Sequence, residues 1–200
     1  MQQIARKLLF SAASLTLALA AQETKPTCQH CSATYISASE LLAYLQRAPS
    51  RIEANDVSDQ QVRAVDIGKS NVDIGVVYRR KLTAVSPVAE HDLVSEVYYI
   101  MEGTATLVTG PDIEGMKRRP LTNENVRMLN GPGSNGTSIQ NGVTHELKPG
   151  DVIVIPAGVG HWFTKIDDHI RYLMVRIDPD KVTPLKDEAA AKADLAAPRR

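Results

Sequence analysis

Two hundred residues, 43% of them hydrophobic and 4% aromatic, carry 23 basic and 23 acidic side chains, for a formal charge of zero. That is enough chain for one domain with a proper core, and an even balance without a lysine or arginine run argues against a nucleic-acid partner. The chain opens on Arg6 and Lys7, an uncharged stretch over residues 8–19, and the A-x-A site Ala18-Leu19-Ala20. This reads as a secretory signal peptide over residues 1–20. The apolar run is too short to span a bilayer, and no cysteine at the cut offers a lipid anchor. Its removal leaves 21 basic and 23 acidic groups, a net of −2, and nothing later is long and apolar enough to cross a membrane. A soluble periplasmic or secreted protein is expected.

Residues 21–59 form an N-terminal extension. Its only cysteines, Cys28 and Cys31, sit in C-Q-H-C. In an oxidising compartment such a pair forms a local disulfide or stays flexible. Redox exchange or metal binding is the alternative, although no strand precedes the pair as in a thioredoxin-like fold and only His30 is near as a further ligand. Ser37 and Glu40 make a capping box ahead of L-L-A-Y-L, which predicts a helix over residues 38–47.

From residue 60 the pattern turns to short alternating runs. They cover residues 62–67, 72–78, 93–101, 104–109, 143–147, 152–155, 162–166 and 170–177, divided by Gly, Pro, Asn and Asp turns. Such spacing predicts an antiparallel sandwich or barrel over residues 60–180. Residues 110–142 read as a long insertion holding Lys117-Arg118-Arg119, expected as a solvated loop or as a lid that presents cations to an anionic substrate. Asn135-Gly136-Thr137 matches a glycosylation acceptor, relevant only to a eukaryotic source. Residues 181–200 are an alanine-rich tail expected to be helical and to pack on a partner subunit.

Two patterns carry chemistry. Gly150, Pro156, Gly158 and His161 are spaced as G-x5-P-x-G-x2-H, a tight corner that presents one imidazole. Upstream, His91, Glu96 and Gly103 are spaced as H-x4-E-x6-G, with Ala89 two residues before His91. With these motifs the chain resembles the cupin superfamily, over about residues 62–177. The leading first-motif histidine is replaced by Ala89, and Lys165 stands where an asparagine often follows the second. The resemblance implies an all-β fold, a double-stranded β-helix or jelly-roll barrel, with short N- and C-terminal helices. It also implies a homodimer.

The same resemblance assigns His91, Glu96 and His161 as ligands of a divalent metal ion. Imidazole suits iron, nickel, copper and zinc, and the carboxylate favours iron or manganese. Three ligands leave positions open to a small-molecule substrate or to dioxygen. Without a metal, the same groups would serve as structural hydrogen-bond partners. Glu90 and Asp92 flank His91 but point the other way by alternation. Tyr98 shares a face with Glu96 and could orient a substrate or donate a proton. His145 shares strand parity with Leu147, as a second base, a rescuing ligand or a buried structural histidine. Arg79, Arg127 and Arg171 are candidates to clamp a carboxylate, with no signal for which faces inward. The preferred function is a metal-dependent enzyme of the dioxygenase type acting on a small organic molecule. A metal-assisted lyase or isomerase, or a non-catalytic binding protein, is the alternative.

Overall fold

The computed structural model describes residues 25–28, 31–52 and 56–197. The expected signal peptide and His30 lie outside the described residues. Among the described residues no helix is long and apolar enough to cross a membrane.

The domain is mostly β, with two sheets in a jelly-roll-like arrangement and a short helix near each end. Strands β1 (Val57–Asp66), β2 (Asn71–Arg80), β3 (Val88–His91), β4 (Ser95–Gly103) and β5 (Ala105–Gly110) precede the insertion. Strands β6 (Asp112–Glu114), β7 (Lys117–Arg118), β8 (Gly133–Gly136) and β9 (Ser138–Gln140) lie within it. Strands β10 (Val143–Leu147), β11 (Val152–Ile155), β12 (Gly160–Lys165) and β13 (His169–Asp178) complete the set. One sheet runs β1-β2-β13-β4-β11, the other β10-β5-β12-β3-β8-β7, and β6 pairs with β9 alone.

Alternation sets the inner face. Along β13, Ile170, Tyr172, Met174, Arg176 and Asp178 are buried in turn, because successive strand side chains point to opposite faces. Ile170, Tyr172 and Met174 meet Tyr98 and Ile100 of β4, and Leu107, Leu147 and Phe163 of the facing sheet, in one continuous core. Each fully buried side chain of this size contributes about 1.5–3 kcal/mol.

Helix α1 (Ala38–Arg47) covers the outer face of β1 and β2 through Tyr44 and Leu45 packed on Val62 and Val76. The predicted capping box is half made. Ser37 Oγ accepts from the Glu40 amide at 3.1 Å, but the Glu40 carboxylate pairs with buried Arg63 at 2.7 Å. Helix α2 (Glu188–Ala196) starts at Asp187, whose carboxylate accepts from the Ala190 amide at 2.8 Å. It packs within its own chain, where the Tyr44 hydroxyl donates to the Ala191 carbonyl at 3.1 Å. Cys28 and Cys31 are disulfide-bonded, with Cα atoms 5.7 Å apart. They border an apolar groove of about 330 Å³ shared with Ile36, Val65, Val72 and Ile74.

The insertion differs most from expectation. Lys117 and Arg118 are exposed, as a solvated cluster would be, but the insertion supplies β6 to β9, and β8 extends the six-stranded sheet beside β3. Its residues Gly133, Ser134, Asn135 and Gly136 lack apolar alternation, because backbone pairing rather than side-chain packing holds the strand there. A Cβ on Gly133 would lie 2.1 Å from the Glu90 carbonyl, so only glycine allows this approach.

Candidate metal centre

The two sheets bring three ligand-bearing residues together. His91 ends β3, Glu96 is the second residue of β4, and His161 is the second residue of β12. Two type II turns prepare the last of these. Gly150 (φ 92°) and Gly158 (φ 81°) occupy the left-handed positions, with the Asp151 amide on the Lys148 carbonyl and the Val159 amide on the Pro156 carbonyl. The second turn is tied to the first motif. The Gly158 amide donates to the His91 carbonyl at 2.7 Å, and the Ala157 amide to Ser95 Oγ at 3.0 Å.

One ligand atom from each of His91, Glu96 and His161 lies within 4.8 Å of the others, and all three side chains are buried. His91 Nε2 is 3.5 Å from Glu96 Oε1, and His161 Nε2 is 3.6 Å from Glu96 Oε2. The carboxylate is held from both sides. The Tyr98 hydroxyl donates to Oε2 at 2.6 Å and Arg176 Nε to Oε1 at 3.1 Å, while Arg176 also pairs with Asp59. Burial alone would raise the Glu96 pKa, but the adjoining His91 ring and the Arg176 guanidinium hold it well below the usual carboxylate range. Burial pushes His91 down to about 3, against the pull of Glu96. Burial lowers His161 as well. Two neutral imidazoles and one ionised carboxylate are the protonation states a divalent ion requires.

The donor set fits such an ion at His161 in particular. His161 Nδ1 lies 3.4 Å from the Val159 carbonyl, which can only accept, so Nδ1 carries the proton. The bare Nε2 then faces an ionised carboxylate oxygen with no hydrogen of its own to offer. A cation between the two would satisfy both.

Among the other candidates, Tyr98 lies where its parity put it. Its pKa is raised well above 10.0 by burial and by the Glu96 charge, so it remains a donor. His145 also faces inward, opposite Leu107 across β10 and β5, but stands outside the group of three. Its Nε2 is 2.9 Å from Thr109 Oγ1, and Thr109 lies opposite His161. Ala89 faces His161 on one side and Asn135 on the other. Glu90 and Asp92 do point away, Glu90 to the Ser134 amide at 3.1 Å and Asp92 to Arg118.

Of the three arginines, Arg79 is the one that turns inward. Its Nε donates to the Tyr172 hydroxyl at 3.1 Å and its guanidinium lies 4.4 Å from the Phe163 ring centre. Arg171 pairs with Glu102 at 2.8 Å, and Arg127 is exposed on a five-residue π-helical segment.

Two arginines that the sequence did not assign to this site matter more. Arg176 could have been found, because it continues the inward parity of Tyr172 and Met174. Arg119 could not. It belongs to the cluster expected to be solvated, yet its Nη2 reaches the Glu90 carbonyl at 2.6 Å and His91 Nδ1 at 2.9 Å.

The family described as Cupin matches residues 57–190. Among solved structures the chain is similar to Peruvianin-I, described as a cysteine peptidase from Thevetia peruviana latex. The identity is 14% over 76% of this chain and 82% of that one, with a TM-score of 0.44. It is similar to BH2720 from Bacillus halodurans at 15% identity over 82% and 97% of the two chains, with a TM-score of 0.40. It is also similar to a recombinant oxalate oxidase in complex with glycolate, at 16% identity over 68% and 57%, with a TM-score of 0.39. No curated protein matches.

Proposed function

The chain belongs to the cupin family, over residues 57–190, and on that premise we propose that it is a metal-dependent oxidoreductase of the dioxygenase type acting on a small organic molecule. The observation that carries this reading is the buried group of His91, Glu96 and His161. Iron or manganese suits a set that mixes imidazole with carboxylate, with nickel, copper and zinc as alternatives. When bound, such an ion supplies a Lewis acid and a redox partner with open coordination positions.

The chain's own groups do the rest. Arg176 and Tyr98 hold the Glu96 carboxylate in one orientation through both oxygens. Tyr98 keeps its one proton in the bond to Glu96 Oε2, and we assign it proton donation only where a substrate oxygen replaces that carboxylate as acceptor. His145, bonded to Thr109, is the second group we assign to proton handling. Ala89 takes the place of the leading histidine, and its small side chain opposite His161 leaves that flank free for a substrate donor atom. The same feature favours a second reading, a lyase or isomerase that uses the ion only as a Lewis acid, or a binding protein without turnover.

We take the two facing sheets as the walls of one double-stranded β-helix, with residues 21–59 as an N-terminal extension and 181–200 as a tail. Export to the periplasm or beyond follows from the signal sequence and agrees with the Cys28–Cys31 disulfide. A homodimer is supported by the apolar strip of Tyr99, Met101, Val152 and Val154 on β4 and β11, each between 40% and 62% exposed.

The test is metal content by mass spectrometry of residues 21–200 beside His161→Ala, followed by oxygen uptake with catechols and small keto acids. Near-stoichiometric metal that His161→Ala loses, with oxygen consumed, supports the oxidoreductase. Metal without oxygen consumption transfers support to the lyase or isomerase, and no metal after reconstitution removes both.

A further inference from the structure

Arg119 donates four hydrogen bonds through its two terminal nitrogens, and one of them reaches a metal ligand from behind. Nη1 donates to the Ser134 carbonyl at 3.3 Å and to Asn135 Oδ1 at 3.1 Å. Nη2 serves the Glu90 carbonyl at 2.6 Å and His91 Nδ1 at 2.9 Å. A guanidinium nitrogen has hydrogens and no lone pair to offer, so His91 Nδ1 is the acceptor in this contact. A neutral imidazole has one N–H, which must then sit on Nε2. That is the atom facing Glu96 Oε1 at 3.5 Å. His161 has the opposite arrangement, with its N–H on Nδ1 toward the Val159 carbonyl and Nε2 bare.

The fold makes room for this contact. A Cβ on Gly133 would lie 2.2 Å from Arg119 Nη2, so a side chain there would displace the guanidinium. The Arg119 amide donates to the Gly133 carbonyl at 3.0 Å, and the adjacent Arg118 pairs with Asp92. The insertion thus grips β3 on both sides of His91.

We propose that Arg119 is a positioning residue that holds metal-free His91 in its Nε2–H form, so that an ion enters only when the Arg119–His91 contact breaks. Ligation through Nε2 moves that proton to Nδ1 of the same ring, with no net proton gained or lost. There it would point at an N–H of Arg119, and the guanidinium has to withdraw toward its carbonyl partners. The usual outer-shell partner of a ligating imidazole is an acceptor that strengthens binding. Arg119 is a donor and weakens it.

The inference rests on the metal site proposed above, and its test separates the two. Long-range proton–nitrogen NMR of histidine-labelled, metal-free protein reads which nitrogen of each ring carries hydrogen. Calorimetric titration with Mn²⁺ and Zn²⁺ compares the wild type with Arg119→Met. The expected result is Nε2–H at His91, Nδ1–H at His161, and binding at least about tenfold tighter in Arg119→Met, the low end of outer-shell effects. Nδ1–H at His91, or equal or weaker binding by folded Arg119→Met, overturns the proposal while leaving the metal site standing. The NMR measurement needs no variant, so a misfolded Arg119→Met does not block the test. If neither protein binds either ion, the metal site fails and the inference falls with it.

Discussion

His91 and His161 have ring centres 5.1 Å apart and flank the same carboxylate, yet opposite chemistry stands behind them. Behind His161 is a carbonyl, supplied by Val159 two residues away in its own turn. Behind His91 is a guanidinium, supplied by Arg119 from 28 residues away. One histidine is prepared for a cation by local chain geometry. The other is restrained by a distant insertion. Ligand type alone therefore does not set the strength of this site; the groups that orient each ring do.

The largest expected effect removes the prepared side. His161→Ala should reduce metal affinity by at least about a hundredfold, the upper range for outer-shell changes and so a floor for a ligand itself. Calorimetric titration would show it, and unchanged affinity would end the comparison, because His161 would not be a ligand.

Arg176→Met attacks the support that both histidines share. It leaves Glu96 and Asp59 without their common cation, and breaking such a buried pair costs about 3–5 kcal/mol. Urea unfolding should record the loss together with weakened metal binding. A loss below about 1 kcal/mol would mean that water already compensates the carboxylates.

Beneath that support, Asp73 lies opposite Arg176 in the register of β2 and β13. Burial raises its pKa from 3.8 to about 6, outweighing the Thr183 hydroxyl and the Arg176 charge. The folded chain holds this proton more tightly than the unfolded chain, so the contribution of Asp73 to stability is fully present below pH 3.8 and is lost as pH rises through about 6. The difference is worth about 3 kcal/mol. Asp73→Asn should flatten this segment of the stability–pH curve and raise stability at pH 7. An unchanged slope between pH 4 and 6 would rule out Asp73 as its source.

Two smaller changes divide the histidines. Gly133→Ala pushes a methyl group against the Glu90 carbonyl and Arg119, with an overpacking cost of about 1–3 kcal/mol. It should disturb the NMR signals of His91 more than those of His161. Ser95→Ala removes the hydroxyl that accepts from the Ala157 amide and should cost about 0.5–1.5 kcal/mol. Its spectral changes should centre on His161. Equal disturbance of both rings by either variant would show that the two sides are not separately built.

The legibility of the site follows the same division. Helix 38–47, the turns at Gly150 and Gly158, and the inward parity of Glu96 and Tyr98 rest on local spacing, and each lies where the sequence put it. The bridging of Glu96 by Arg176 was half legible: β13 parity places that residue inward, but no pattern names its partner. Strands β7 and β8 carry no apolar alternation, so the insertion read as a solvated loop or a lid, and Arg119 as a charge turned to solvent or to a substrate.

By itself the sequence determined the alternating strands and the glycine-cornered turn, because these depend on residue periods and backbone preferences within a few positions. The three ligand candidates came from the likeness of its two motifs to the cupin family. The tertiary structure alone decided that Arg79 turns inward while Arg171 turns out, that α2 closes on α1, and that a guanidinium meets His91. Those outcomes depend on which backbone lies beside which across the sheets. There a missing Cβ at Gly133 or a carbonyl at Glu90 counts for more than any side-chain pattern.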